Sequence, residues 1–121
     1  MRQKGFTLIE VLVALSIASV GLISLIKAQT QSTKNLEILQ HKTLANLAAS
    51  NLAVEMRLNK THPIGFKNGQ YKLGRQYWYW QSNTNSTPNE NIVKLSLSIF
   101  TNKQKMNDKQ ASSQLDLYLK K

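Results

Sequence analysis

Apolar positions are spread unevenly along the 121 residues: 15 of the 21 from Phe6 to Ile26 are apolar, against 34 of the 95 from Lys27 onward. As a helix the first run covers about 31 Å, close to the ~30 Å hydrocarbon core of a bilayer. It is long enough to cross a membrane. From Lys27 to about Lys60 there is neither Pro nor Gly, and a content of Leu, Ala, Gln, Lys and Glu favours continuous helix, with Thr61-His62-Pro63-Ile64-Gly65 as the stop. A helix from Phe6 to near Lys60 would be about 80 Å long, far more than a small module can bury, so most of it needs other partners.

Helical periodicity separates two apolar stripes in this second part. Leu36, Leu39, Leu44, Leu47, Val54 and Leu58 fall on one side, with Gln40, Thr43 and Asn51 among them, and this side is expected to carry a sheet. Ile38, Ala45, Ala49, Leu52 and Met56 form a narrower stripe nearly opposite, where small alanines would let another helix approach closely. That second stripe is read as a contact with a partner helix, the alternative being that the module's own loops cover both stripes.

After Pro63 the period changes from helical to alternating. Tyr71 to Leu73 and Gln76 to Gln81 read as a hairpin around Gly74, with Trp78 and Trp80 on one face and Tyr77 and Tyr79 on the other. One aromatic pair should be core. Asn83 to Asn91 reads as a polar loop. Ile92 to Thr101 is the clearest strand, with Val93, Leu95, Leu97 and Ile99 inward and Lys94, Ser96 and Ser98 outward. A polar turn from Asn102 to Ser113 precedes a last strand, with Leu115, Leu117 and Leu119 inward against Asp116, Tyr118 and Lys120. The fold class is α+β, a long N-terminal helix whose first part is transmembrane, packed on a small antiparallel sheet.

A length of 121 residues allows one small soluble module, and the absence of cysteine removes disulfides, thiol catalysis and lipid attachment through Cys. The net charge of +10 brings nucleic acid and anionic lipid into consideration. Alternating Trp and Tyr beside Arg75 could stack bases, but both tryptophans are needed for so small a core, and nucleic acid is not expected as a partner. The acidic residues are scattered singly, His41 and His62 stand alone, and neither a glycine-rich phosphate loop nor a nucleophile elbow occurs. No catalytic constellation, cofactor or metal site is expected, and the chain is read as a non-enzyme.

The chemistry worth following is at the N-terminus. Met1-Arg2-Gln3-Lys4 is a short basic leader, Gly5 follows, and Phe6-Thr7-Leu8-Ile9-Glu10 opens the apolar run. A secretory signal would have no use for Glu10, since a carboxylate opposes insertion, and a plain single-pass anchor leaves it unexplained. The motif KGFTLIE resembles the leader of the type IV pilin superfamily. That resemblance implies cleavage by a prepilin peptidase between Gly5 and Phe6 and N-methylation of Phe6. It divides the chain into a leader (1–5), a transmembrane and assembly segment (6–26), a periplasmic helix (27–62) and a sheet module (63–121). It also implies that Glu10 meets the terminal amine of a neighbouring subunit during assembly, a new α-amino group with an ordinary pKa of ~7.7 to 8.0 having arisen at Phe6. The alternative for Glu10 is that it only reaches to the headgroups. Positive charges flank the span on both sides, Arg2 and Lys4 before it and Lys27, Lys34 and Lys42 after, so orientation follows the resemblance rather than the charge count.

Further along, KTLANLAASNLAVEMRL, then HPIGF, then NGQYKLGRQYWYW resemble the minor pseudopilin I family of the type II secretion system, with Gly74-Arg75 and Trp78 and Trp80 where that family has a Gly-Arg pair and a Trp-rich strand. The implied role is structural: a component of the pseudopilus tip complex that helps start assembly for protein export across the outer membrane. The implied partners are the minor pseudopilins H, J and K, the major pseudopilin, the prepilin peptidase and the inner-membrane assembly platform. The implied location is the bacterial inner membrane with the module in the periplasm. A minor pilin of a type IV or competence pilus is the alternative.

Overall fold

The computed structural model describes residues 4–121 and orders the elements as α1 (Leu8–Leu58), β1 (Gly65–Leu73), β2 (Gln76–Ser86), β3 (Ile92–Phe100), α2 (Lys103–Asn107) and β4 (Ser113–Lys120). Two compact units divide the chain, Met1–Ile38 and Leu39–Lys121, and α1 contributes to both. The first is helix alone. Every described residue in it is exposed, and an 18-residue window of α1 reaches a mean hydropathy of 2.4, apolar enough to cross a membrane. Ser16, Ser19 and Ser24 donate their hydroxyls to the carbonyls of Leu12, Leu15 and Val20 at 2.7–2.8 Å, so these polar groups are satisfied within the helix itself. A helix in hydrocarbon requires that.

The second unit sets the last five turns or so of α1 on a four-stranded antiparallel sheet in sequential order β1-β2-β3-β4. The helix stops at Leu58, two residues before the expected end near Lys60, because Asn59 N–H falls back on Met56 O at 3.3 Å and Pro63 cannot continue the ladder. Gly74 turns the β1–β2 hairpin with φ +63, leaving Leu73 paired with Gln76 across a two-residue loop that favours glycine at its first position. Strand β2 runs on to Ser86, through the stretch read as a polar loop. Pairing to β1 as far as Gly65↔Thr84 and to β3 as far as Ser86↔Val93 overrides the weak strand preference of Asn and Ser. The expected polar turn after β3 contains α2, capped by Asn102, whose side chain accepts from Lys105 N–H at 2.8 Å.

The core lies between α1 and the sheet. Ala45, Ala48, Ala49, Leu52 and Ala53 meet Trp78, Val93, Leu95, Leu97, Ile99, Leu117 and Leu119, all buried, with Trp80 and Tyr71 packed against them. Of the aromatic alternation, the tryptophans are the core pair and Tyr77 is exposed. The alternation of β3 is as expected. On β4, Leu117 and Leu119 are buried but Leu115 stays 36% exposed, on an edge strand.

The two helix stripes exchange the roles expected of them. Leu36, Leu39, Leu47, Val54 and Leu58, expected under the sheet, are exposed, and of that stripe's apolar residues Leu44 alone packs against the core, while Ala45, Ala49 and Leu52, expected to meet a partner helix, are buried against the chain's own strands and Met56 packs beside them. Ile38 is exposed. The reason is volume. Sheet side chains here are large, so close packing needs small residues on the helix, and the alanines let it approach.

Candidate functional site at the helix N-terminus

Lys4 to Thr7 have no regular secondary structure and are exposed, so the Gly5–Phe6 peptide bond stands clear of the helix. Phe6 is 88% exposed, and a Cβ placed on Gly5 would meet nothing. Met1, Arg2 and Gln3, the rest of the leader, lie outside the described residues.

Thr7 caps the helix. Its backbone N–H donates to Glu10 Oε2 at 3.0 Å, and Glu10 N–H donates to Thr7 Oγ1 at 3.3 Å. This reciprocal pair is a capping box, Thr-x-x-Glu, in which each side chain satisfies a backbone donor of the first turn. The favourable interaction of a carboxylate with a helix N-terminus adds to it. Glu10 is therefore not merely a charge tolerated near the end of an apolar run: it is held by the backbone it caps. Phe6, Glu10, Val11, Ala14, Leu15 and Ala18 line an open groove of about 530 Å³ along this end of the helix, in which Glu10 is the one charged side chain.

Of the expected site residues, the structure brings Gly5, Phe6 and Glu10 to this one end, and puts Ala45, Ala49 and Leu52 into the core of the second unit, with the half-buried Met56 packed against it. Thr7 joins them through its hydrogen bonds with Glu10, a Thr-x-x-Glu spacing that is visible in the sequence. Leu47, Val54 and Leu58, from 49% to 78% exposed, form the apolar helix face that is left open. Among the described residues no group of three His, Cys, Asp or Glu converges on a point where a metal could sit.

Comparison with known proteins places these features. Residues 39–120 match the family described as type II secretion system (T2SS), protein I, and residues 1–26 match the prokaryotic N-terminal methylation motif. The type II secretion system protein I of Pseudomonas aeruginosa is 36% identical over 92 residues, 75% of this chain and 71% of that protein. Its namesake in Vibrio cholerae is 29% identical over 101 residues, 84% of this chain and 86% of that one. Among solved structures, a chain of the GspK-GspI-GspJ complex from the enterotoxigenic Escherichia coli type 2 secretion system has the same fold, with a TM-score of 0.56 at 15% identity, covering 70% of this chain and 99% of that one.

Proposed function

The chain belongs to the type II secretion system protein I family, and on that premise we propose that it is a minor pseudopilin acting in the tip complex that starts the periplasmic pseudopilus. The observation that carries the reading is the pairing of an exposed Gly5–Phe6 bond with a capped Glu10 at the head of a membrane-length helix. Cleavage there leaves the anchor on the protein and puts an α-ammonium on Phe6, four residues before Glu10.

The role is assembly rather than catalysis. In the apolar surroundings of a bundle of such helices an unpaired carboxylate is costly, and a neighbouring subunit's terminal amine offsets that cost. The capping box occupies Glu10 Oε2 with the Thr7 N–H and leaves acceptor capacity on the carboxylate for that amine. Lateral contact further along falls to the exposed Leu47, Val54 and Leu58 face rather than to the alanine stripe. The complex containing GspK, GspI and GspJ is the precedent for the other minor pseudopilins as partners. The assembly platform, the peptidase and the major pseudopilin complete the set, with the chain in the inner membrane and its sheet module in the periplasm.

The test is the intact mass and N-terminal residue of the protein from its native membranes. A chain starting at methylated Phe6 supports the reading. A chain keeping Met1 removes it. Deletion then separates the machines: loss of protein secretion supports this reading, and loss of pili or twitching supports a minor pilin.

A further inference from the structure

Four cations of the second unit line one open cleft. Arg57, Leu58 and Lys60 at the end of α1 and Tyr118, Lys120 and Lys121 at the end of β4 are among the residues lining an opening of about 470 Å³ that contains no carboxylate side chain. Arg57, Lys60, Lys120 and Lys121 are all exposed, and among the described residues the one ion pair is Lys94 with Asp116, Lys94 being the register partner of Tyr118. Glu55, the acid nearest in sequence to this helix end, lines a different cleft, the one walled by Trp80, Ser82 and Thr84.

The helix C-terminus attracts positive charge, which accounts for Arg57 and Lys60. It does not require two further lysines from another element. Those are held in place: Lys120 is paired in register with Ile92, and Lys121 N–H donates to Asn91 O at 2.9 Å. Like charges gathered with no acidic side chain among the lining residues repel one another and raise the local concentration of anions.

The other lining residues say which kind of anion. Leu58 is 78% exposed and Tyr118 is 64% exposed, so large apolar side chains stand among the cations. Arg57 and Tyr118 are of the types that protein interfaces enrich, and the three lysines suit a polar, solvent-accessible rim. Leu58 also continues the open apolar helix face of Leu47 and Val54. We propose that this cleft is a docking site for an acidic protein segment that also carries apolar or aromatic side chains, with the four cations as its electrostatic rim and Leu58 and Tyr118 as its contact floor. The proposal is independent of processing at Gly5.

The test uses the full chain in detergent micelles and two labelled probes, poly-L-glutamate and a random glutamate–tyrosine copolymer, followed by fluorescence anisotropy at low and high salt. The expected result is salt-sensitive binding of both, tighter for the copolymer. Lys60→Glu with Lys120→Glu should weaken both on the order of tenfold, whereas the same charge change on α2, Lys103→Glu with Lys105→Glu, should leave them nearly unchanged. Leu58→Ser with Tyr118→Ser should remove the copolymer's advantage and spare poly-L-glutamate. Equal weakening by the two lysine pairs would reduce the effect to diffuse net charge and overturn the site. Preference for an oligothymidylate over both polypeptides, lost in the Lys60 and Lys120 variant, would overturn it in favour of nucleic acid.

Discussion

The indole of Trp80 lies over the backbone of Gly69, its partner across β1 and β2, so closely that a Cβ built on Gly69 would be 2.9 Å from three ring atoms. The φ of Gly69 is not the constraint; the space is. Trp80 needs that seat because it flanks the core while walling the cleft beside Ser82 and Thr84.

Gly69→Ala should therefore displace the ring and destabilise the module by about 1–3 kcal/mol, the range for overpacking. Thermal denaturation of the purified chain checks it. Gly21→Ala, where a Cβ meets nothing, is the control and should leave the melting of the sheet module unchanged.

The exchange of helix faces yields opposite outcomes on the two sides of α1. Ala48 is 0% exposed, and Ala48→Leu forces bulk between helix and sheet, costing about 1–3 kcal/mol. Leu47→Ala and Val54→Ala remove exposed side chains and should change stability by no more than about 0.5 kcal/mol, yet reduce recovery of partner subunits in co-purification. Partner recovery unaffected by the Leu47 and Val54 changes would take the lateral contact off this face.

These outcomes also mark what the sequence reveals. The alternation of Val93, Leu95, Leu97 and Ile99 and the turn at Gly74 are local signals, and both appear where the pattern puts them. The choice between two apolar stripes on one helix is not local, since it depends on the size of the side chains the sheet presents, and a leucine stripe outranks an alanine stripe on any hydrophobicity count. The strand from Ser82 to Ser86 is invisible for a related reason: its neighbours on both sides impose it. At the N-terminus, Gly5, Phe6 and Glu10 are legible from the motif, but the hydrogen bonds joining Glu10 to Thr7 follow only once the helix start is placed at Leu8.

Lys94 Nζ lies 2.9 Å from Asp116 Oδ2 on the outer face of the sheet, across β3 and β4. The hydrogen bond from Lys94, with a second from Ser96, lowers the Asp116 carboxyl below its ordinary 3.8, and the hydrogen bond and charge of Asp116 raise Lys94 above 10.5. A depressed carboxylate contributes stability above its unfolded pKa and loses it as pH falls through the folded one; a raised lysine contributes below its unfolded pKa and loses it as pH rises through the folded one. The pair thus acts between the two and fades outside them. Exposure and salt screening keep the effect small. Asp116→Asn should lower the melting temperature slightly at neutral pH in low salt, and the difference should vanish in about 1 M salt or below the Asp116 pKa.

Glu10 has two duties that substitution can separate. Glu10→Ala removes the hydrogen bond to Thr7 N–H and the carboxylate offered to a neighbouring amine; Thr7→Ala removes only the other half of the capping box, the Thr7 Oγ1 that accepts from Glu10 N–H. Losing a cap costs about 1 kcal/mol of local helix stability and frays the first turn. Neither change touches the second unit, so the melting of the sheet module should be unchanged in both. Recovery of the assembled complex should fall in Glu10→Ala and remain largely intact in Thr7→Ala, because the carboxylate is still present. If both variants lose assembly equally, the helix cap is what matters. If Glu10→Ala assembles and secretes normally, the pairing of this carboxylate with a terminal amine is wrong.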